Sequence, residues 1–139
     1  MGSMRTAFVY SAILSTLSLP AAAAETCRDH YRSEGTPMLQ AITYKTWMIF
    51  PSVSPKAAFD RVTRAVLAEG FVGVHVEKQL GTLTAQQETS GSGRPQTLRV
   101  VVRKAGTGSR VDALFMVQAG QIGQDVDQNL CRVVDAAAQ

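Results

Sequence analysis

A chain of 139 residues with 45% hydrophobic and 18% charged side chains has too much apolar content for a disordered tail and too little length for several ordinary domains. Its 14 Lys and Arg exceed its 11 Asp and Glu by only three. The basic residues (Arg61, Arg64, Lys78, Arg94, Arg99, Arg103, Lys104, Arg110) are scattered over several segments without interleaved aromatics, which argues against a nucleic-acid partner.

The first 24 residues read as a secretory signal peptide: Arg5, an apolar run over 7–19, Pro20 and then four alanines, Ala21 to Ala24. The run is too short for a bilayer core of roughly 30 Å, which takes about 20 apolar residues, and it ends in an Ala-x-Ala site. Cleavage is expected near Ala24, with the mature protein periplasmic or secreted and free of a transmembrane segment. Removing this segment, in which Arg5 is the only charge, leaves about 115 residues and a net charge of +2. That length suits one core.

Export places Cys27 and Cys131 in an oxidising space, where thiols pair. They lie near opposite ends of the mature chain, and a disulfide over so long a loop stabilises by up to about 4.7 kcal/mol in the chain-entropy model. The expected bridge ties the leading segment to the last helix. Ala24-Glu25-Thr26 before Cys27 puts a charge where lipid attachment needs a small residue, which argues against a lipid anchor. A thiolate metal site would need His or Cys partners at short spacing, and only His30 is near.

In chain order, residues 25–41 hold Gly35, Pro37 and scattered charges and read as an irregular leader to a single domain over 42–139. The β-branched and aromatic run 42–50 predicts a first strand, ended by Pro51. Ser54-Pro55 starts a helix, because the serine oxygen can accept from an orphan amide and proline has no amide to orphan. Ala58, Phe59, Val62, Ala65 and Val66 form its apolar stripe, and Gly70 closes it after Glu69. Four strands are expected next. Residues 71–78 put Val72, Val74 and Val76 on one face; 82–89 is the most polar; 97–104 and 111–118 alternate clearly. Gly81 marks a turn or bulge, the loop 90–95 an exposed hairpin tip, and Gly106 and Gly108 a tight connection. A closing helix over 122–138 carries Ile122, Val126, Leu130, Val133 and Ala137 on one face. Cys131 lies about 140° from the centre of that face, pointing away from the sheet toward a leader strapped across the helix.

The fold class that follows is α+β: a single antiparallel sheet of about five strands with two helices on one face, in the order β-α-β-β-β-β-α. If the first strand pairs with the last, the spatial order is 2-3-4-5-1.

The Ser-Pro helix ending Ala68-Glu69-Gly70-Phe71, the Gly81-x-Leu83-x-Ala85 strand start and the two Val-rich strands before a terminal helix resemble small exported bacterial α+β domains. These include the helix-grip domains of the outer-membrane β-barrel assembly machine. The similarity spans roughly residues 45–137 and implies a fold and an envelope setting rather than a chemistry.

No nucleophile elbow, phosphate-cradling loop, His-Glu-x-x-His, Cys-x-x-Cys or calcium loop occurs, so no catalytic residue, metal or cofactor is assigned. His75 and Glu77 share a strand face with Arg99 and Arg103 two strands away, which reads as a wet sheet face unless a cleft encloses them. His30 reads as a surface residue, and Trp47 as core. With Trp47, Val100 and Phe115 facing the helices, Met48, Val101, Leu114 and Met116 point to the open side as a candidate binding surface, unless the leader covers them. The leading expectation is a non-enzymatic module binding a protein partner in the cell envelope. Two alternatives are an inhibitor or immunity protein acting through the 90–95 loop against a cell-wall hydrolase or toxin, and a small-ligand carrier or hydrolase using His75 and Glu77.

Overall fold

The computed structural model describes residues 23–87 and 93–139. The expected signal peptide, apart from Ala23 and Ala24, lies outside the described residues, as do positions 90–92 of the loop expected over 90–95 and 88–89 of the strand expected over 82–89. Eight principal elements follow one another: β1 (Arg32–Glu34), β2 (Ile42–Phe50), α1 (Pro55–Ala68), β3 (Val72–Glu77), β4 (Thr82–Gln87), β5 (Gln96–Ala105), β6 (Gly108–Val117) and α2 (Val126–Asp135). The six strands form one sheet in the order β1-β2-β6-β5-β4-β3, every neighbour antiparallel. Without β1 this is the expected order, with the first long strand beside the last.

One hydrophobic cluster lies between the helices and a single face of the sheet. Ala58, Phe59, Val62 and Val66 of α1 and Leu130, Val133 and Val134 of α2 meet Leu83, Leu98, Val100, Val111, Phe115 and Val117 of the sheet. Removing such side chains from water stabilises by about 1.5–3 kcal/mol each, the dominant favourable contribution to the fold. Helix α1 begins as expected, with Ser54 Oγ accepting from the Ala57 amide at 3.2 Å, and Gly70 follows its end at φ +83°. The helices are joined by Arg132, which donates to both Glu69 carboxylate oxygens at 3.1 Å, and by Arg61, which donates to the Ala137 carbonyl at 2.9 Å.

The leader departs from the expected irregular segment, and this raises the strand count from about five to six. Its three-residue strand β1 pairs Arg32, Ser33 and Glu34 with Lys45, Tyr44 and Thr43 of β2. All three are exposed, so backbone pairing and the Glu34–Lys45 ion pair recruit them and no apolar alternation announces the strand. Upstream, a 3-10 turn over Cys27–His30 is closed by Asp29, whose carboxylate accepts from the amide and hydroxyl of Thr26 at 2.7 and 2.8 Å. These bonds hold the Asp29 carboxyl below its usual range.

The disulfide Cys27–Cys131 joins this turn to α2, with Cα atoms 5.6 Å apart. Cys131 is buried at the flank of α2 rather than turned outward. The leader runs beside the edge of β2, between strand and helix, and is not strapped across the outside of α2. Thr46, a buried polar residue of β2, donates to the Cys27 carbonyl at 2.6 Å and lies 3.2 Å from Cys27 Sγ.

Two further expectations are corrected. Helix α2 starts at Val126 rather than at residue 122, and Ile122 is 77% exposed. The approach to the helix is a turn in which Gln121 folds back to accept from the Gln118 amide, with Gly120 at φ +83°. In β3, a bulge between Val72 and His75, with Gly73 at φ +56°, breaks the run of valines. Val72 comes opposite Gln86 on the open side, whereas Val74 and Val76 pack on the core. The polar strand β4 is well paired on both sides, because Leu83 and Ala85 alone supply its core face.

Two measurements test the leader clamp. Replacing both cysteines by serine should release β1, leave the order of the other five strands intact and lower the unfolding free energy in urea by about 2–5 kcal/mol. Tyr31, near Tyr44 and Asp127, has its phenol pushed up to about 12, chiefly by burial. The folded phenol therefore resists ionisation. Its contribution to stability is complete below the unfolded value near 10 and is lost as pH rises through about 12. Absorbance at alkaline pH should show one late tyrosine transition that Tyr31→Phe removes.

Candidate functional site

Because both helices lie on one side, the opposite face of the sheet has no helical cover, and its pairing register sets out side chains in rows. One row runs His75, Thr84, Arg99, Leu114, Lys45 and Arg32 from edge to edge. Beside it run Glu77, Thr82, Val101, Asp112 and Trp47. The flanking rows add Thr97, Met116 and Thr43 on one side and Arg103, Arg110 and Ile49 on the other.

Val101, Leu114 and Met116 of the expected binding surface therefore share the open face. Met48 does not: it pairs with Val111 and packs against the core, and Trp47 takes the open position that had been expected to face the helices. The run 42–50 is apolar at most positions, so its period cannot choose a face. The choice falls to Thr46, whose hydroxyl can be buried because the Cys27 carbonyl receives it.

The centre of the face is a shallow concavity of about 320 Å³, with Val101 and Leu114 on its floor and Lys45, Trp47, Arg99 and Arg110 around it. Trp47 is held from two directions. The His30 ring stacks on it at 3.4 Å between centroids, and the Arg110 guanidinium lies 4.0 Å from the ring centroid. Arg110 is fixed in turn by Asp112, to which its Nε and Nη2 donate at 2.9 and 2.7 Å. His30 Nδ1 donates to the Trp47 carbonyl at 2.9 Å, and Nε2 lies 2.6 Å from a Glu25 carboxylate oxygen. Lys45 pairs with Glu34 of β1 at 2.6 Å. Arg99 is exposed and has no ion-pair partner among the described residues.

The leader thus borders this face without crossing it. It adds β1 to the edge and delivers His30 to Trp47, leaving Val101, Leu114 and Met116 half-buried under their neighbours alone. The sequence points to a surface role for His30, and its role as a clamp on a ring 17 positions away has no signature there.

His75 and Glu77 do share the open face with Arg99 and Arg103, as expected, but they stand near its β3 edge and line none of the four main concavities. An acid-base pair works from a water-excluding cleft, and His75 is exposed. Among the described residues no group of three or more His, Cys, Asp or Glu side chains could hold a metal, and no helix is long and apolar enough to cross a membrane.

No protein-family model matches the chain, and no curated protein is similar to it in sequence.

Trp47 is the single tryptophan, so its emission reports on the clamp directly. His30→Ala should shift that emission and, by removing a stacked ring and a hydrogen bond, lower stability by about 1–2 kcal/mol. An unchanged spectrum and midpoint would show that the leader holds without it.

Proposed function

We propose that the chain is an exported, non-catalytic binding module of the bacterial cell envelope that recognises a protein partner through the open face of its sheet. The observation that carries this reading is the composition of that face: Trp47, Met116, Arg99 and Arg110 around a floor of Val101 and Leu114. Tryptophan, methionine and arginine are enriched where proteins bind one another, because each brings a large contact area with a directional or adaptable contact. Arg99, exposed and without an ion-pair partner among the described residues, would meet an acidic group of the partner, while Trp47 and Arg110 are already held in place and so lose little freedom on binding.

Export is supported by the signal-like residues 1–24, by the resemblance to exported envelope domains and by the Cys27–Cys131 bond, since disulfides persist in oxidising compartments.

Two measurements test the proposal. Mass spectrometry of the protein recovered from expressing cells should find an N-terminus near Glu25 and a closed disulfide; a retained N-terminus with free thiols would defeat the export half. A partner crosslinked in the native envelope should be lost with Met116→Lys and with Arg99→Glu, each folded by circular dichroism, a charge reversal costing about tenfold or more in affinity. A partner that both variants retain would remove this face from the interaction.

A further inference from the structure

A second surface gathers charges that the sequence spreads over almost fifty positions. Between the first turn of α1, the β3–β4 turn and the end of β5 lies a groove of about 550 Å³, larger than the other main concavities. Phe59 and Val102, both buried, form its floor, and Lys56, Lys78, Arg103 and Lys104 border it against one carboxylate, Asp60. Lys56 donates to Asp60 at 2.9 Å, and Arg103 lies 3.4 Å from Asp112, so Lys78 and Lys104 are the cations without an ion pair among the described residues. The local field is positive enough that Lys78 and Arg64 add to the Lys56 hydrogen bond in holding the Asp60 carboxyl below its usual range.

Leu80 stands on the same rim, 71% exposed. Its turn is held in place: Gly81 adopts φ +64°, its carbonyl accepts from the Val102 amide at 2.8 Å, and a Cβ there would come 2.3 Å from the Val102 carbonyl oxygen. Only glycine fits that approach, so the leucine is presented by a fixed turn.

We propose that this groove docks the protein on an anionic phospholipid surface, with Leu80 entering the headgroup layer and Lys78, Lys104 and Lys56 pairing with lipid phosphates. Apart from Arg103, whose guanidinium turns to Asp112 on the open face of the sheet, its cations are lysines, which are depleted in protein-protein interfaces yet are drawn to anionic bilayers, their apolar stems lying along the boundary while the ammonium reaches the phosphates. A nucleic acid would take the charges but has no use for the exposed leucine, and among the described residues the groove has no aromatic at its rim for a base to stack on.

Flotation of the purified full chain with vesicles of phosphatidylglycerol and phosphatidylcholine tests the proposal, with pure phosphatidylcholine as reference. Parent and variants share the same N-terminus, so the ratio of parent to variant reads the groove. Lys78→Glu, Lys104→Glu and Leu80→Ser should each lower partitioning on the anionic vesicles by about five- to tenfold, and high salt should bring the parent toward the lysine variants. Arg32→Glu, an equal charge change on the far edge of the sheet, should alter it by about twofold or less. All four side chains are exposed, and near-ultraviolet circular dichroism checks that the variants fold. Equal partitioning of parent and groove variants, an Arg32→Glu loss as large as that of Lys78→Glu, or equal ratios on neutral vesicles would overturn the proposal. Tighter, equally variant-sensitive binding to duplex DNA would do so in favour of a nucleic acid.

Discussion

The bond between Cys27 and Cys131 closes the molecule around β2. On one side of that strand α2 packs on the core; along its edge the leader supplies a three-residue strand and a single 3-10 turn, neither of which could persist unaided. A strand with no buried side chain offers only backbone pairing and one exposed ion pair, and a short turn has no cooperative length. Covalent attachment to a helix already committed to the core removes most of the entropy that would otherwise release them. The leader then determines which face of β2 is buried, because the Cys27 carbonyl is the acceptor that lets Thr46 point inward.

From that choice follows the character of the open face. With Thr46 inward, Trp47 must point outward, where it meets Arg110 on β6 and His30 on the leader. A tryptophan left free on a sheet face would be both mobile and an aggregation hazard. Held between neighbours, it becomes a fixed element of a surface whose remaining parts, Val101, Leu114, Met116 and Arg99, come from β5 and β6. The same register that builds the helix-covered core therefore orders the opposite side, since successive residues of a strand face opposite ways. The stability of the leader and the shape of this face are thus coupled: the bonds that seat the leader also orient the ring.

The two candidate surfaces differ in the chemistry that each suits. The sheet face is broad, carries tryptophan, methionine and arginine, and has most of its charges already paired by Asp112 and Glu34. The groove beside α1 is lysine-bordered, with an exposed leucine on a rigid turn and two lysines without ion pairs among the described residues. One arrangement suits a shaped partner and the other a diffuse negative surface, and the two adjoin at Arg103, which borders the groove and pairs with Asp112 on the sheet face.

Much of the architecture was legible because it rests on local signals. Ser54-Pro55 and Gly70 bound α1, the alternation in β5 and β6 marks their buried faces, and two cysteines in an otherwise cysteine-free chain have only each other. Those features depend on residues a few positions apart, or on a count of two, and the sequence by itself determines them. The parity of β2, the bulge that turns Val72 outward, the pairing of β1, the His30 contact with Trp47 and the gathering of Lys56, Lys78 and Lys104 belong to the tertiary structure alone. In each, the deciding partner lies far along the chain or is a backbone group with no side-chain signature: a carbonyl at Cys27, an edge at β2, a turn that brings three strand ends and a helix together. Periodicity records how often a strand or helix alternates, but which of two comparably apolar faces is buried is settled only when distant groups compete for the same space and the same hydrogen bonds.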